Sequence, residues 1–250
     1  MGLTGALKAA IRASLRAAGL EVRRASREPG RDAFADLRRL CRAAGPPVLF
    51  DVGANVGQTV THFRAAFPDA LIHAFEPGAA AFAALQRRHA LTPGVTLNNL
   101  ALGARKESRE FIESDQTVMS SFLETGPDGF GTERSRRTLE VQTLDGYCAA
   151  AGVTRVDVLK LDTQGFDLEV LRGGLGLVAR GAVPLVLLEV TLAKLYEGLP
   201  RFDAVYGTLA DNGYRLVAVY RTTYQGLVAG WFDALFVRAD YAAAHGLDRD

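Results

Sequence analysis

Seven residues, Asp51-Val52-Gly53-Ala54-Asn55-Val56-Gly57, constrain this chain more than any other stretch. They follow the apolar run Val48-Leu49-Phe50 behind the proline pair Pro46-Pro47, and they precede Gln58 to Ala66, which has helix-like composition. Strand, tight loop and helix in that order form the unit on which α/β proteins hold a nucleotide-like cofactor. Gly53 and Gly57 lack a Cβ, so the loop can adopt backbone angles closed to other residues and a ligand can approach the main chain. The helix start adds N–H groups and a positive dipole end, suited to a carboxylate or a phosphate. A second apolar run, Leu71-Ile72-His73-Ala74-Phe75, ends in Glu76. That acid lies about 20 residues beyond the loop, where a carboxylate accepts hydrogen bonds from ribose hydroxyls.

The dinucleotide fingerprint is G-x-G-x-x-G, whereas this loop reads D-x-G-x-N-x-G, with Asn55 where a second glycine would let a pyrophosphate lie on the backbone. S-adenosylmethionine carries no phosphate; it has a carboxylate, an ammonium and a sulfonium. An acid in the loop favours that charge pattern over a pyrophosphate.

At 250 residues, with 48% hydrophobic and 23% charged content, the chain is sized for one substantial core. No apolar run approaches the roughly 18 to 20 residues of a membrane-spanning helix. Charges at Lys8, Arg12 and Arg16 interrupt the N-terminal apolar stretch and argue against a secretory signal. Cys41 and Cys148 lack metal-ligand spacing, so neither a disulfide framework nor a structural zinc site is expected, and a cytoplasmic location is. Residues 1–47 carry ten Lys/Arg against four acids, a charge of +6 that leaves −5 on the remainder. An acidic body without a basic groove excludes a nucleic-acid partner.

Leu3, Leu7, Ile11 and Leu15 recur every four residues, each of the last three followed by a basic residue, which predicts a short amphipathic helix. It covers the fold or a partner subunit, or residues 1–20 lie on an anionic membrane; its many alanines favour the first. A further helix is expected over 32–42. From Val48 the pattern alternates, with strands expected near 48–51, 71–75, 95–97, 156–161, 184–189, 214–220 and 232–237, and helices near 57–66, 78–90, 166–180 and 202–212. The last two strands have no helix between them and should pair antiparallel, with Gly226 to Gly230 in the turn feeding the seventh. Residues 103–144 interrupt the alternation. Two polar alternating segments there flank a long loop, Ser114 to Arg136, which reads as a lid over substrate.

The chain resembles the FkbM-like S-adenosylmethionine-dependent methyltransferases. The resemblance rests on Phe50 to Gly57, His73-Ala74-Phe75-Glu76-Pro77, Asn99 to Gly103, Thr143-Leu144-Asp145, Leu159 to Asp167 and Val170-Leu171-Arg172-Gly173, and it runs from about Val48 to Val237. It implies a Rossmann-like class I fold: a seven-stranded, mostly parallel α/β sheet with an antiparallel last strand and helices on both faces. It also implies Asp51, Gly53, Asn55 and Gly57 around the methionine end of the cofactor, Glu76 on the ribose, and transfer to hydroxyls of sugars or polyketides. Gln164 stands where many relatives have Glu. Residues 1–47 form a basic helical extension outside the resemblance, and 48–250 the methyltransferase domain.

Ligands of open α/β sheets bind beyond the carboxyl ends of the strands. Asp162 ends the fourth strand, Lys160 lies two residues back on the same face, and Glu189 ends the fifth. Asp162 or Glu189 is expected to orient and deprotonate an acceptor hydroxyl, with Lys160 holding the carboxylates charged or stabilising the oxyanion. The competing assignment is a structural Lys160–Glu189 ion pair with Asp162 capping the Gly165 turn. Without a compact D-x-D pair, no metal site is expected. Asn98 and Asn99 are expected near the adenine, Tyr196, Tyr220, Tyr224 and Trp231 along the acceptor, and the four histidines in packing roles, His73 being the best exception. The leading function is O-methyl transfer to a small-molecule or glycan acceptor. A nicotinamide-dependent oxidoreductase and a catalytically silent cofactor-binding subunit are the alternatives.

Overall fold

The computed structural model describes residues 5–18 and 28–248; Leu3 of the amphipathic pattern lies outside them. The first helices are α1 (Gly5–Ala17) and α2 (Ala33–Leu40). Asp32 caps α2 by accepting from the amides of Phe34 and Ala35. Then follow β1 (Val48–Val52), α3 (Gln58–Ala66), β2 (Leu71–Phe75), α4 (Ala79–His89) and β3 (Val95–Asn98). The interruption contains β4 (Ala101–Leu102), β5 (Glu107–Ser114) and β6 (Glu133–Gln142). The alternation resumes with α5 (Leu144–Ala151), β7 (Val158–Leu161), α6 (Asp167–Arg172), α7 (Leu175–Ala179), β8 (Leu185–Thr191) and α8 (Phe202–Asp211). It closes with β9 (Tyr214–Val219), β10 (Thr223–Gln225), β11 (Val228–Arg238) and α9 (Ala239–Ala244).

The main sheet runs β10-β11-β8-β7-β1-β2-β3, with β9 also on β11. It is parallel from β3 to β8, and β11 is antiparallel to its neighbours. Strand alternation divides the core into two layers. Phe50, Leu159, Val186 and Phe236 face the helices from α5 to α8, while Leu49, Val158, Leu185 and Leu235 face α2, α3, α4 and α9.

Eight strands replace the expected seven. β11 is longer than β9 can cover, and β10 pairs with its first residues through the turn at Gly226-Leu227. The expected helix over 166–180 is two helices. A Cβ on Gly173 would sit 2.0 Å from the Gly103 carbonyl, and one on Gly174 2.6 Å from Leu144 Cδ2, so the chain kinks where the insertion crosses it. The sequence reading missed α5. Its signals were a Thr143 hydroxyl accepting from the Gly146 amide and a left-handed Gly152 ending the helix. Asp145 in turn accepts from the amides of Gly176 and Leu177 and starts α7.

α2 belongs to the body of the fold, although it was expected in the extension. Leu37 is fully buried, the Tyr220 hydroxyl donates to Asp36, and the Tyr241 hydroxyl donates to the Leu40 carbonyl. Helix α1 differs. Leu7 and Ile11 are 46% and 42% exposed, so the stripe expected to cover the fold does not pack into it.

Candidate cofactor and acceptor site

A cleft opens beyond the carboxyl ends of β1, β2 and β7, where open α/β sheets hold their ligands. Gly53, Asn55, Glu76, Asp162 and Gln164 line it together with Leu100, Leu102, Phe111, Phe122 and Phe166. The result is an apolar slot with polar groups concentrated on one side.

Glu76 is the centre of the polar side. Its Oε1 accepts from the Gly78 amide at 2.7 Å and its Oε2 from the Asn55 amide at 2.8 Å. Asn55 meets this geometry only in a left-handed conformation, φ 47°, a region that asparagine tolerates better than most residues. Burial pushes the Glu76 carboxyl up to about 7, against the two amides, which favour its charged form. Asn99 supports the turn from behind, its side-chain NH₂ donating to the carbonyls of Glu76 and Pro77. It does not line the cleft, and Asn98 is held between the Ala74 carbonyl and the Tyr147 hydroxyl.

The loop glycines allow close packing within the protein. A Cβ on Gly53, φ 82°, would lie 1.9 Å from the Asp162 carbonyl oxygen, so the β1 and β7 ends come this close only with glycine there. A Cβ on Gly57 would meet the His89 ring at 2.4 Å, and the Gly57 carbonyl lies 2.9 Å from His89 Nε2. The cleft touches the loop at Gly53 and Asn55 and not at the first turn of α3.

Asp51 lies beneath the cleft. It is the register partner of Lys160 across β1 and β7, is fully buried, and has Lys160 Nζ 3.2 Å from its Oδ1. That contact is an ion pair without hydrogen-bond alignment, and neither Asp51 oxygen has a hydrogen-bond partner. Burial therefore raises the Asp51 pKa despite the cation beside it. Burial works in the opposite sense on Lys160, but Asp162 and Asp51 outweigh it and hold the ammonium charged.

Lys160 also donates to Asp162 Oδ2 at 3.1 Å, so its partners are Asp51 and Asp162 and not Glu189. The Glu189 partner is Gln164, a residue absent from the expected site. Gln164 Nε2 donates to Asp162 Oδ1 at 2.7 Å and reaches Glu189 Oε1 at 3.4 Å, while its Oε1 accepts from the Tyr196 hydroxyl at 2.9 Å. One amide thus separates two carboxylates. Burial, followed by repulsion from Asp162 and Asp167, holds the Glu189 pKa well above the carboxylate range. The sequence signal for Gln164 was its departure from Glu. Its neutrality suits a position between two acids.

The Ser114 to Arg136 segment is docked over this site. The Thr117 hydroxyl donates to Asn55 Oδ1, and the Ser121 hydroxyl to the Gln164 carbonyl. The Gly126 and Asp128 amides bond the Leu195 and Lys194 carbonyls. Thr117, Val118, Ser120 and Phe122 thereby become cleft wall. Of the aromatics expected along an acceptor, Tyr196 donates to Gln164, the amide between the two acids, and Trp231 packs against its cluster. Tyr220 is buried against α2, and Tyr224 stands at the tip of the β10–β11 hairpin. His73 lies within hydrogen-bond distance of the Tyr147 hydroxyl, away from the cleft.

The profile of the methyltransferase FkbM domain matches residues 51–216. A 2-O-methyltransferase, NoeI, of Sinorhizobium fredii is 24% identical over 72% of this chain and 77% of its own length. The 31-O-demethyl-FK506 methyltransferase FkbM of Streptomyces tacrolimicus is 30% identical over 75% of this chain and 81% of its own. A hexuronic acid methyltransferase, AglP, of Haloferax volcanii is 30% identical over half of this chain and 49% of its own. Among solved structures, the magnesium protoporphyrin IX methyltransferase of Synechocystis PCC 6803 with bound SAM aligns with 96% of this chain and 86% of its own. Its TM-score is 0.46 at 13% identity. The nicotinamide alternative gives way to the family match, and the chain belongs to the FkbM family of S-adenosylmethionine-dependent methyltransferases.

Proposed function

We propose that this enzyme methylates a hydroxyl of a sugar, glycolipid precursor or secondary metabolite, with Asp162 as the base. The observation that carries the proposal is the Asp162–Gln164–Glu189 arrangement at the edge of the cleft that holds Glu76. The cleft suits S-adenosylmethionine on three counts. Glu76 faces it with lone pairs for ribose hydroxyls, Leu100, Leu102, Phe111 and Phe122 offer apolar walls to a purine, and Gly53 and Asn55 lie beside Asp162 at the polar end. When bound, this donor supplies a methyl group on a cationic sulfur, an already activated leaving group.

The protein aligns the acceptor and takes its proton. Asp162 is exposed to the cleft, and Lys160 Nζ at 3.1 Å stabilises its negative charge. Glu189, its pKa raised, retains its proton near neutrality and lies across the Gln164 amide from Asp162. Residues of the docked segment form one wall over the reacting groups. An oxygen acceptor is in keeping with the relatives named for 2-O-methyl and 31-O-methyl transfer.

The test replaces Asp162 by Asn and Glu189 by Gln. Turnover over a panel of hydroxylated acceptors is measured beside calorimetric binding of S-adenosylhomocysteine. Asp162→Asn should lower turnover at least ~100-fold with binding retained. Normal turnover in Asp162→Asn removes the assignment of the base, and no methyl transfer by the parent enzyme to any hydroxyl removes the reaction itself.

A further inference from the structure

Two elements far apart in the sequence expose large apolar side chains. At the tip of the β10–β11 hairpin, Leu227 is 98% exposed, Val228 71% and Tyr224 61%. The tip packs against the docked segment and the end of β8: Gln225 Nε2 donates to the Asp128 carbonyl, and the amides of Leu192 and Ala193 bond the Gly230 carbonyl. Leu192 is exposed beside it, as is Lys194. The second element is α1, with Leu7 and Ile11 exposed on one stripe and three basic residues but no acid between Gly5 and Ala17. Four-residue spacing keeps Leu7, Ile11 and Leu15 within about 80° around the helix, a narrow apolar seam along ~12 Å.

A second copy of the chain suits neither element. A stable protein interface buries about 800 Å² per partner, and a two-residue turn with three apolar side chains offers a small convex tip. Pairing α1 with its own copy would bring like charges together along a helix of fewer than four turns. An anionic bilayer accommodates both, since its headgroup region yields to a protruding tip, its acyl boundary takes up the apolar seam, and its charge complements the basic segment. Among the described residues no helix is long and apolar enough to cross a membrane, so the contact is peripheral.

We propose that the hairpin tip Tyr224–Val228 and α1 dock on an anionic lipid surface. Docking needs no catalysis, and its test uses none. The full chain is sedimented with vesicles of phosphatidylcholine alone and with vesicles containing about one-third phosphatidylserine. The parent protein should pellet with the anionic vesicles, less so at high salt. The exposed-site variants Leu227→Ser/Val228→Ser and Leu7→Gln/Ile11→Gln should each weaken partitioning about tenfold or more, the loss expected for one inserted large apolar side chain. Circular dichroism and light scattering check that the variants stay folded and whether the parent is a dimer. Supernatant protein with both vesicle types overturns the proposal, and so does unchanged pelleting of both variants. A dimer that Leu227→Ser/Val228→Ser dissociates, without vesicle binding, assigns the tip to a second copy and overturns it as well.

Discussion

Ionisation of Glu76 is expected to act in opposite senses on stability and on the binding of a ribose. In the folded protein its pKa is about 7, against an ordinary value of 4.5. Below pH 4.5 the carboxyl is protonated in both folded and unfolded chains, and its contribution to stability is fully present. As pH rises from about 4.5 to about 7 the unfolded chain releases a proton that the folded chain retains, and stability falls; above 7 the loss is complete. At about 1.4 kcal/mol per pH unit, that interval corresponds to about 3 kcal/mol. The side chain is almost wholly buried, so solvent screening reduces this little. Glu76→Gln removes the titration. Its amide NH₂ also faces one of the two backbone donors, a constant offset of about 1–3 kcal/mol that does not vary with pH. Urea unfolding of both proteins across about pH 4.5 to 8 should therefore show parent stability falling by about 3 kcal/mol relative to the variant. In the parent, S-adenosylhomocysteine should bind about tenfold more weakly per pH unit below 7, because the ribose hydroxyls bind the charged carboxylate. Affinity of the variant should be low and flat. A stability difference constant to within about 1 kcal/mol, with affinity independent of pH, refutes both the desolvation of Glu76 and its role on the ribose.

Gly53→Ala places a methyl 1.9 Å from the Asp162 carbonyl at φ 82°; thermal unfolding should show a loss of about 2–4 kcal/mol, and a loss under about 0.5 kcal/mol contradicts the packing role. Lys160→Met leaves Asp51 buried without a counter-charge and should cost about 3–5 kcal/mol at neutral pH. Since the Asp51 pKa is then raised further, the deficit should shrink as pH falls; a pH-independent deficit in urea melts argues against the pairing. Gln164→Glu sets a third carboxylate between Asp162 and Glu189. Turnover should fall at least ~10-fold and the pH–rate profile move upward, with S-adenosylhomocysteine affinity unchanged, whereas an unaltered profile denies Gln164 a positioning role.

Part of this protein was legible in order and spacing. The Asp51–Gly57 loop between an apolar run and a helix, the acid after β2, and the strand pair without an intervening helix are local signals. Backbone periodicity and turn chemistry express them within a few residues, so the parallel sheet and its antiparallel edge followed from them. α5 was missed because its capping threonine sat inside a segment read as a motif. β10 was missed because a three-residue strand has too few positions to show alternation.

The partners of the side chains depended on the tertiary structure. Register across β1 and β7 sets Asp51 beside Lys160, and that pairing removes Asp51 from the cleft wall and Lys160 from Glu189. Packing between the strand ends by itself requires glycine at position 53. The docked insertion decides which faces of Asn55 and Gln164 remain for a substrate. Local sequence fixes dihedral preference and hydrophobic period, which are properties of neighbours in the chain. Hydrogen-bond choice and desolvation are properties of neighbours in space, and these residues become neighbours only once the sheet has assembled.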